Sequence, residues 1–146
     1  GNFAGRIEGN GHVIRNVNIE QRNSAKTNVG LFGTITEKAV ISDVTFENVT
    51  FTIKKGAMKM GSSFGILCGT LSEKATIKDV VLKDSDLLID SGCYFGTDDY
   101  AIGLVCGIGK SEVVKAEDVT CSATGDKPSR VKITADGNTI TLEFVD

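Results

Sequence analysis

Four polar residues each stand directly before a valine: Asn16, Asp43, Asp79 and Asp118, ahead of Val17, Val44, Val80 and Val119. On adjacent strands their side chains would lie about 4.8 Å apart, and such a row of carboxylates invites Ca²⁺. Calcium needs oxygens converging from several directions, whereas a single row offers them edgeways. Asp and Asn also tolerate left-handed backbone angles and bond nearby amides, so turn formation alone accounts for the residue types. The four are therefore read as a structural turn ladder. Asp98 and Asp99 could serve as the acid and base of a polysaccharide hydrolase or lyase. Adjacent residues on a strand point oppositely, and no second acidic pair or Arg cluster faces them, which favours a solvated loop. His12, the one histidine, has no Ser or Cys partner in motif context and reads as a turn residue. Gly107–Glu112, GIGKSE, lacks the first glycine of a phosphate loop. No catalytic, cofactor-binding or metal-ligating residue is assigned.

Binding chemistry concentrates in two insertions. Lys54–Ser63 (KKGAMKMGSS) carries Lys54, Lys55 and Lys59; Asp90–Tyr100 carries Asp90, Asp98 and Asp99 together with Tyr94, Phe95 and Tyr100. The rings are the one place where an aromatic face could be offered to a sugar or a protein. Opposite charges on neighbouring loops can simply pair with each other, worth at most ~1 kcal/mol per exposed pair. The functional alternative is a composite binding lip, since solenoids bind through loops on one face.

The elements that must hold these residues are repeats. Gly33–Phe46 (GTITEKAVISDVTF) recurs as Gly69–Leu82 (GTLSEKATIKDVVL) and Gly107–Cys121, with a fainter copy at Gly5–Ile19. The spacing from Gly5, Gly33, Gly69 or Gly107 to the following Asn or Asp stays at 10 or 11 residues, while the distance between repeats grows from 28 to 36 to 38. A fixed inner unit with loops of variable length marks a solenoid. Within each unit Ile41, Val44 and Phe46, or Ile77, Val80 and Leu82, recur at strand spacing. Stacked coils would bury Val17, Val44, Val80 and Val119 in one column, Ile41 and Ile77 in another, and Ile19, Phe46, Leu82 and Cys121 in a third. The expected fold is all-β: a right-handed parallel β-helix of about four coils, the hand taken from the general rule for parallel crossovers. Repeats fall at approximately 3–19, 29–53, 64–89 and 102–121. The alternation of Val131–Ile133 and Ile140–Phe144 about a Gly-containing turn predicts a C-terminal hairpin over 131–145 that caps the edge. Residues 1–146 form one domain.

The segments NVGLFG (Asn28–Gly33), FGILCG (Phe64–Gly69) and IGLVCG (Ile102–Gly107), with the leading pattern of Phe3–Ile19, resemble the GLUG-type repeat of bacterial surface and secreted proteins. The resemblance spans Phe3 to about Cys121, and its later copies depart from the GLFG spelling by one inserted residue. It implies a right-handed β-helix within large adhesin-like or protease-attached surface proteins, with no catalytic residue in the repeat.

Composition agrees with a globular β chain: 40% hydrophobic, 24% charged, 17 glycines and one proline in 146 residues. A net charge of −3 argues against a nucleic-acid partner, and no apolar run reaches the ~20 residues of a membrane span. Gly1 in place of Met reads as a processing remnant. Of four cysteines, Cys68 and Cys106 share a column, Cys121 occupies a core column and Cys93 lies in a loop; free and mostly buried thiols are expected. The first coil enters without a cap, which suggests either a longer array of the same chain or a self-association surface; the array is preferred. The expected role is structural or adhesive, non-catalytic, extracellular or at the cell surface, with a glycan or host surface protein as partner and no cofactor. The competing class is a carbohydrate-active β-helix enzyme or its binding module.

Overall fold

The computed structural model describes residues 2–22, 28–54, 61–93 and 100–145. The chain winds three times round a three-sided parallel β-solenoid and begins a fourth coil, then closes with an antiparallel hairpin. Side one stacks β1 (Asn2–Phe3), β4 (Phe32–Ile35), β7 (Cys68–Leu71) and β10 (Cys106–Ile108). Side two stacks the long, bent strands β2 (Arg6–Gln21), β5 (Val40–Ile53), β8 (Thr76–Asp90) and β11 (Val114–Thr124). Side three holds β3 (Asn28–Val29), β6 (Ser62–Phe64) and β9 (Tyr100–Ile102). The hairpin is β12 (Val131–Asp136) with β13 (Thr139–Phe144).

Each long strand of side two bends where a residue with positive φ interrupts the alternation. In β5 and β8 these residues come in pairs five positions apart: Asp43 and Asn48 (both φ 54°), then Asp79 (φ 54°) and Asp84 (φ 50°). Short polar side chains enter this region at less cost than apolar ones, which fixes the residue type without any ion. Between bends the inward residues alternate, so Val44, Phe46, Val49, Phe51 and Ile53 are buried while Thr45 and Glu47 are only partly covered. On the outer face Arg15, Glu47, Lys83 and Glu117 align in register, alternating in sign. Arg15 lies 3.4 Å from Glu47, and Lys115 lies 3.0 Å from Glu117. The bond from Lys115, and then its charge, hold the Glu117 carboxyl below its ordinary range, with Lys83 adding to the effect.

The corner from side three to side one is built by the segments Gly30-Leu31, Gly65-Ile66 and Gly103-Leu104. Leu31 N donates to Ile66 O (2.9 Å) and Ile66 N to Leu104 O (2.9 Å), each coil hanging on the next. A Cβ on Gly65 would lie 2.5 Å from the Cα of Cys106, so only glycine allows the coils to approach here. The core is one continuous cluster of the inward columns, with Phe32 meeting Phe46 edge-on at 6.2 Å and Phe51 lying 6.4 Å from Phe64.

The register corrects the expected columns. Val44 pairs with Val80 and Val80 with Val114, while His12 occupies the first-coil position. Val17 instead stacks below Val49, and Val119 pairs with Ser85. Likewise Cys121 belongs above Leu87, Phe51 and Ile19, whereas Phe46 and Leu82 lie between Ile14 and Ala116. Ile41 does face Ile77. Gly33, Gly69 and Gly107 follow the paired residues Phe32, Cys68 and Cys106 on side one. Gly5 does not share that column: it precedes side two, and its carbonyl accepts from Val40 N at 3.0 Å.

The hairpin ends the solenoid by imitation. Its two-residue loop, Gly137-Asn138, has Gly137 at φ +58°, a first-position glycine as in type II′ turns. Leu104 N donates to Asn138 O at 3.0 Å, just as Ile66 N donates to Leu104 O. The Asn138 side chain then accepts from Val105 N (2.7 Å) and Cys106 N (3.3 Å) and donates to Cys106 O (3.0 Å). One residue thereby supplies the acceptors that a further coil would have offered.

Candidate functional site: the insertion corner

Chain leaves side two and returns on side three at one corner in every coil. The departure points Gln21, Ile53 and Ile89 stack in register, and so do the returns Asn28 with Ser63 and Ser62 with Tyr100. The insertions of successive coils are therefore rooted one above another, as the repeat spacing implies. Of the candidate ligand residues, Lys54, Asp90 and Tyr100 are described; Lys55, Lys59, Tyr94, Phe95, Asp98 and Asp99 lie outside the described residues.

Asp90 is engaged in shaping the corner. Its Oδ1 accepts from Gly92 N at 2.7 Å and its carbonyl from Cys93 N at 2.9 Å, a local turn of the kind Asp favours. Cys93 then reaches down one coil, where its thiol donates to Lys54 O (3.3 Å), with Ile53 O at 3.6 Å. Burial, reinforced by the negative charge of Asp90, pushes this thiol up to about 12, so it is a structural donor rather than a nucleophile.

A third segment, Thr124–Arg130, joins the corner. Thr124 pairs with Asp90, and Ser91 N donates to Thr124 O at 2.8 Å while Lys127 N donates to Ser91 Oγ at 3.3 Å. Asp90, Ser91, Gly125, Asp126, Lys127 and Arg130 line a cleft of about 370 Å³. Its walls carry both signs of charge, fit for hydrogen-bonding polar or zwitterionic groups. The signal lay in the order of elements: Gly125–Arg130 follows β11 where the other insertions follow β5 and β8.

The turn ladder divides in two. Asp43 and Asp79 share the first bend, whose first-coil counterpart is the bulge at Gly9–Gly11. Asn16, Asn48, Asp84 and Asp118 share the second. Asn48 Nδ2 donates to Asn16 Oδ1 at 2.8 Å, so amides stitch the lower coils of that column. Among the described residues no three of His, Cys, Asp or Glu come together in a metal-holding group. His12 serves its own bulge: Nδ1 lies 2.7 Å from Gly9 O, and since a carbonyl only accepts, Nδ1 carries the hydrogen. Cys68 and Cys106 are in register, buried and free. A hydrogen bond to Cys106, together with burial, pushes the Cys68 thiol up.

No family model, curated protein or solved structure matches the chain. Among the described residues no helix is long and apolar enough to cross a membrane.

Proposed function

We propose that this chain is a structural, adhesive repeat segment of a secreted or cell-surface bacterial protein, non-catalytic, which engages a glycan or host surface protein through its insertion corner. The observation that carries the reading is the stacking of the loop roots at one corner, with the Asp90–Arg130 cleft beside them. Every other side-chain class in the repeat is committed to the coils: glycines to the corner between sides three and one, Asp and Asn to bends, apolar residues to the core. Loops fixed on a rigid stack are where binding residues concentrate. The likeness of NVGLFG, FGILCG and IGLVCG to GLUG repeats supports the bacterial surface setting.

The test is a glycan and host-glycoprotein array probed with the chain and with a variant whose 54–63 and 90–100 insertions are cut to the length of 21–27. Loop shortening costs little, so the variant should fold. Binding that disappears with the insertions supports the reading; binding that survives moves the site to a flat sheet face and ends it.

A further inference from the structure

Cys68 and Cys106 are direct partners in the parallel ladder of side one, and Cys68 pairs in turn with Phe32. Parallel neighbours lie about 4.8 Å apart, and residues in register send their Cβ atoms to the same side of the sheet. That separation falls inside the range of about 4.4–6.8 Å between Cα atoms that a disulfide spans. The backbone is held firmly around the pair. Leu67 N and Cys68 N both donate to Val105 O, at 3.0 and 3.2 Å, and Gly65 packs against Cys68 O and the Cys106 Cα with no room for a Cβ. The other two thiols stand elsewhere: Cys93 donates to Lys54 O, and Cys121 pairs with Leu87 on side two.

The two thiols share a hydrogen bond donated by Cys68, which holds Cys106 below its ordinary range against the opposing effect of burial and pushes Cys68 up. Cys106 is thereby the better nucleophile, with Cys68 the proton-bearing neighbour beside it. Both are fully buried. The cover over Cys106 is the hairpin, whose Asn138 accepts from Cys106 N at 3.3 Å and donates to Cys106 O at 3.0 Å. We propose that Cys68 and Cys106 form a redox-controlled cross-link between the third and fourth coils, made by exchange with a small-molecule disulfide such as oxidised glutathione when the hairpin lifts. The Cys106 thiolate attacks one sulfur of the reagent, forming a mixed disulfide and expelling one glutathione thiolate, which takes up the proton that Cys68 releases. The Cys68 sulfur then displaces the second glutathione. The chain loses two hydrogens and the reagent leaves as two reduced molecules.

The cross-link closes a covalent ring over residues 68–106. Inside it lie the whole of β8 and both roots of the acidic insertion, Ile89 with Asp90 on one side and Tyr100 on the other. The reduced chain holds that insertion by hydrogen bonds and packing alone. In the oxidised chain its roots are also tied covalently, so a pull along the chain cannot extend the residues between the two cysteines. The cross-link requires no ligand at the insertion corner.

Incubation of the folded chain with oxidised glutathione should give a species about 2 mass units lighter, with two of the four thiols left to alkylate. Trypsin leaves Cys93 and Cys106 in one peptide, so cleavage before Asp98 and Asp99 is added to show which of them is joined to Cys68. Pulled by handles at its two ends, the oxidised chain should unfold to a contour length about 130 Å shorter than the reduced chain, the span of the 38 residue steps from Cys68 to Cys106. Dithiothreitol should restore the full length. Cys68→Ser and Cys106→Ser should each abolish the mass loss and the shortening, while Cys93→Ala keeps both. Asn138→Ala, which loosens the cover over Cys106, should speed oxidation of the folded chain by about fivefold or more. A chain that keeps four thiols, or one that joins Cys68 to a different cysteine, overturns the proposal. A bond that forms on refolding from urea but never in the folded chain would be a fixed tie, and overturns redox control. Oxidation of N138A no faster than that of the parent overturns the route through the hairpin.

Discussion

Asn138 Oδ1 accepts the backbone hydrogen of Val105 across 2.7 Å, the role that Val105's own carbonyl plays toward Leu67 at 3.0 Å one coil earlier. A side chain has replaced a main-chain acceptor, and the ladder stops there. Asn138→Ala should leave the Val105 and Cys106 amides unpaired at the edge of the core, at a cost of about 1–3 kcal/mol. Urea unfolding measures this; a change below about 0.5 kcal/mol, typical of surface positions, would show that water replaces the amide without loss.

Register is open to a coupling measurement. Val80 packs between Val44 and Val114, whereas Val119 sits a bend away opposite Ser85. A double-mutant cycle of Val80→Ala with Val114→Ala should give an interaction energy above ~0.5 kcal/mol, and one with Val119→Ala close to zero. Equal coupling in both cycles would return the columns to a single Asx-Val ladder.

Leu82, fully buried between Phe46 and Ala116, offers the cavity test. Leu82→Ala should cost ~2–5 kcal/mol, since the neighbouring coils are held by their own hydrogen bonds and cannot collapse into the gap.

The bends make a prediction about backbone rather than ions. Asp43→Asn and Asp43→Gly should be close to neutral, while Asp43→Val forces a β-branched residue to φ 54° and should cost about 1–3 kcal/mol. Melting should not respond to Ca²⁺ or chelator; an ion at 100 times its dissociation constant would add ~2.7 kcal/mol. A chelator-dependent melting temperature would mean that Asp43 and Asp79 hold a cation.

Alkaline pH provides a further check. Burial raises the Cys93 and Cys121 thiols from 9.0 to about 12, so the folded state keeps protons that the unfolded chain has lost. Their contribution is complete below about pH 9 and falls away as pH rises toward 12. The stability of Cys93→Ala should therefore decline less steeply than that of the parent over this interval, as read from urea midpoints. Parallel decline of the two proteins would show that Cys93 titrates normally.

The architecture could be read from the chain because glycine spacing, alternation and the final Gly-Asn turn each demand one conformation. Register was harder, for a specific reason. Coil two contains both Asp43-Val44 and Asn48-Val49, and a polar bend residue recurs five positions on in the third coil, at Asp79 and Asp84. Matching Asn16 to Asp43 joins the second bend of one coil to the first of the next, and matching Asp79 to Asp118 joins a first bend to a second. The true coil lengths, from Val17 to Val49, Ser85 and Val119, are 32, 36 and 34 residues. The role of Asn138 was invisible for another reason: its partners, Leu104 to Cys106, lie more than thirty positions away. At the insertion corner, the repeat pattern located the loop roots, but Gly125–Arg130 had no repeat signature to announce it.

The stacked roots at Gln21, Ile53 and Ile89 restrict how such a protein can diversify. Roots on adjacent strands are about 4.8 Å apart, so in each coil the chain leaves and returns directly beside its neighbour. Length can change in one coil without disturbing the ladders on either side, yet the chemistry of that loop is always exercised beside its neighbours. Variation there is tuned in sets, and a single loop grafted to another scaffold carries away only a fragment of a shared surface.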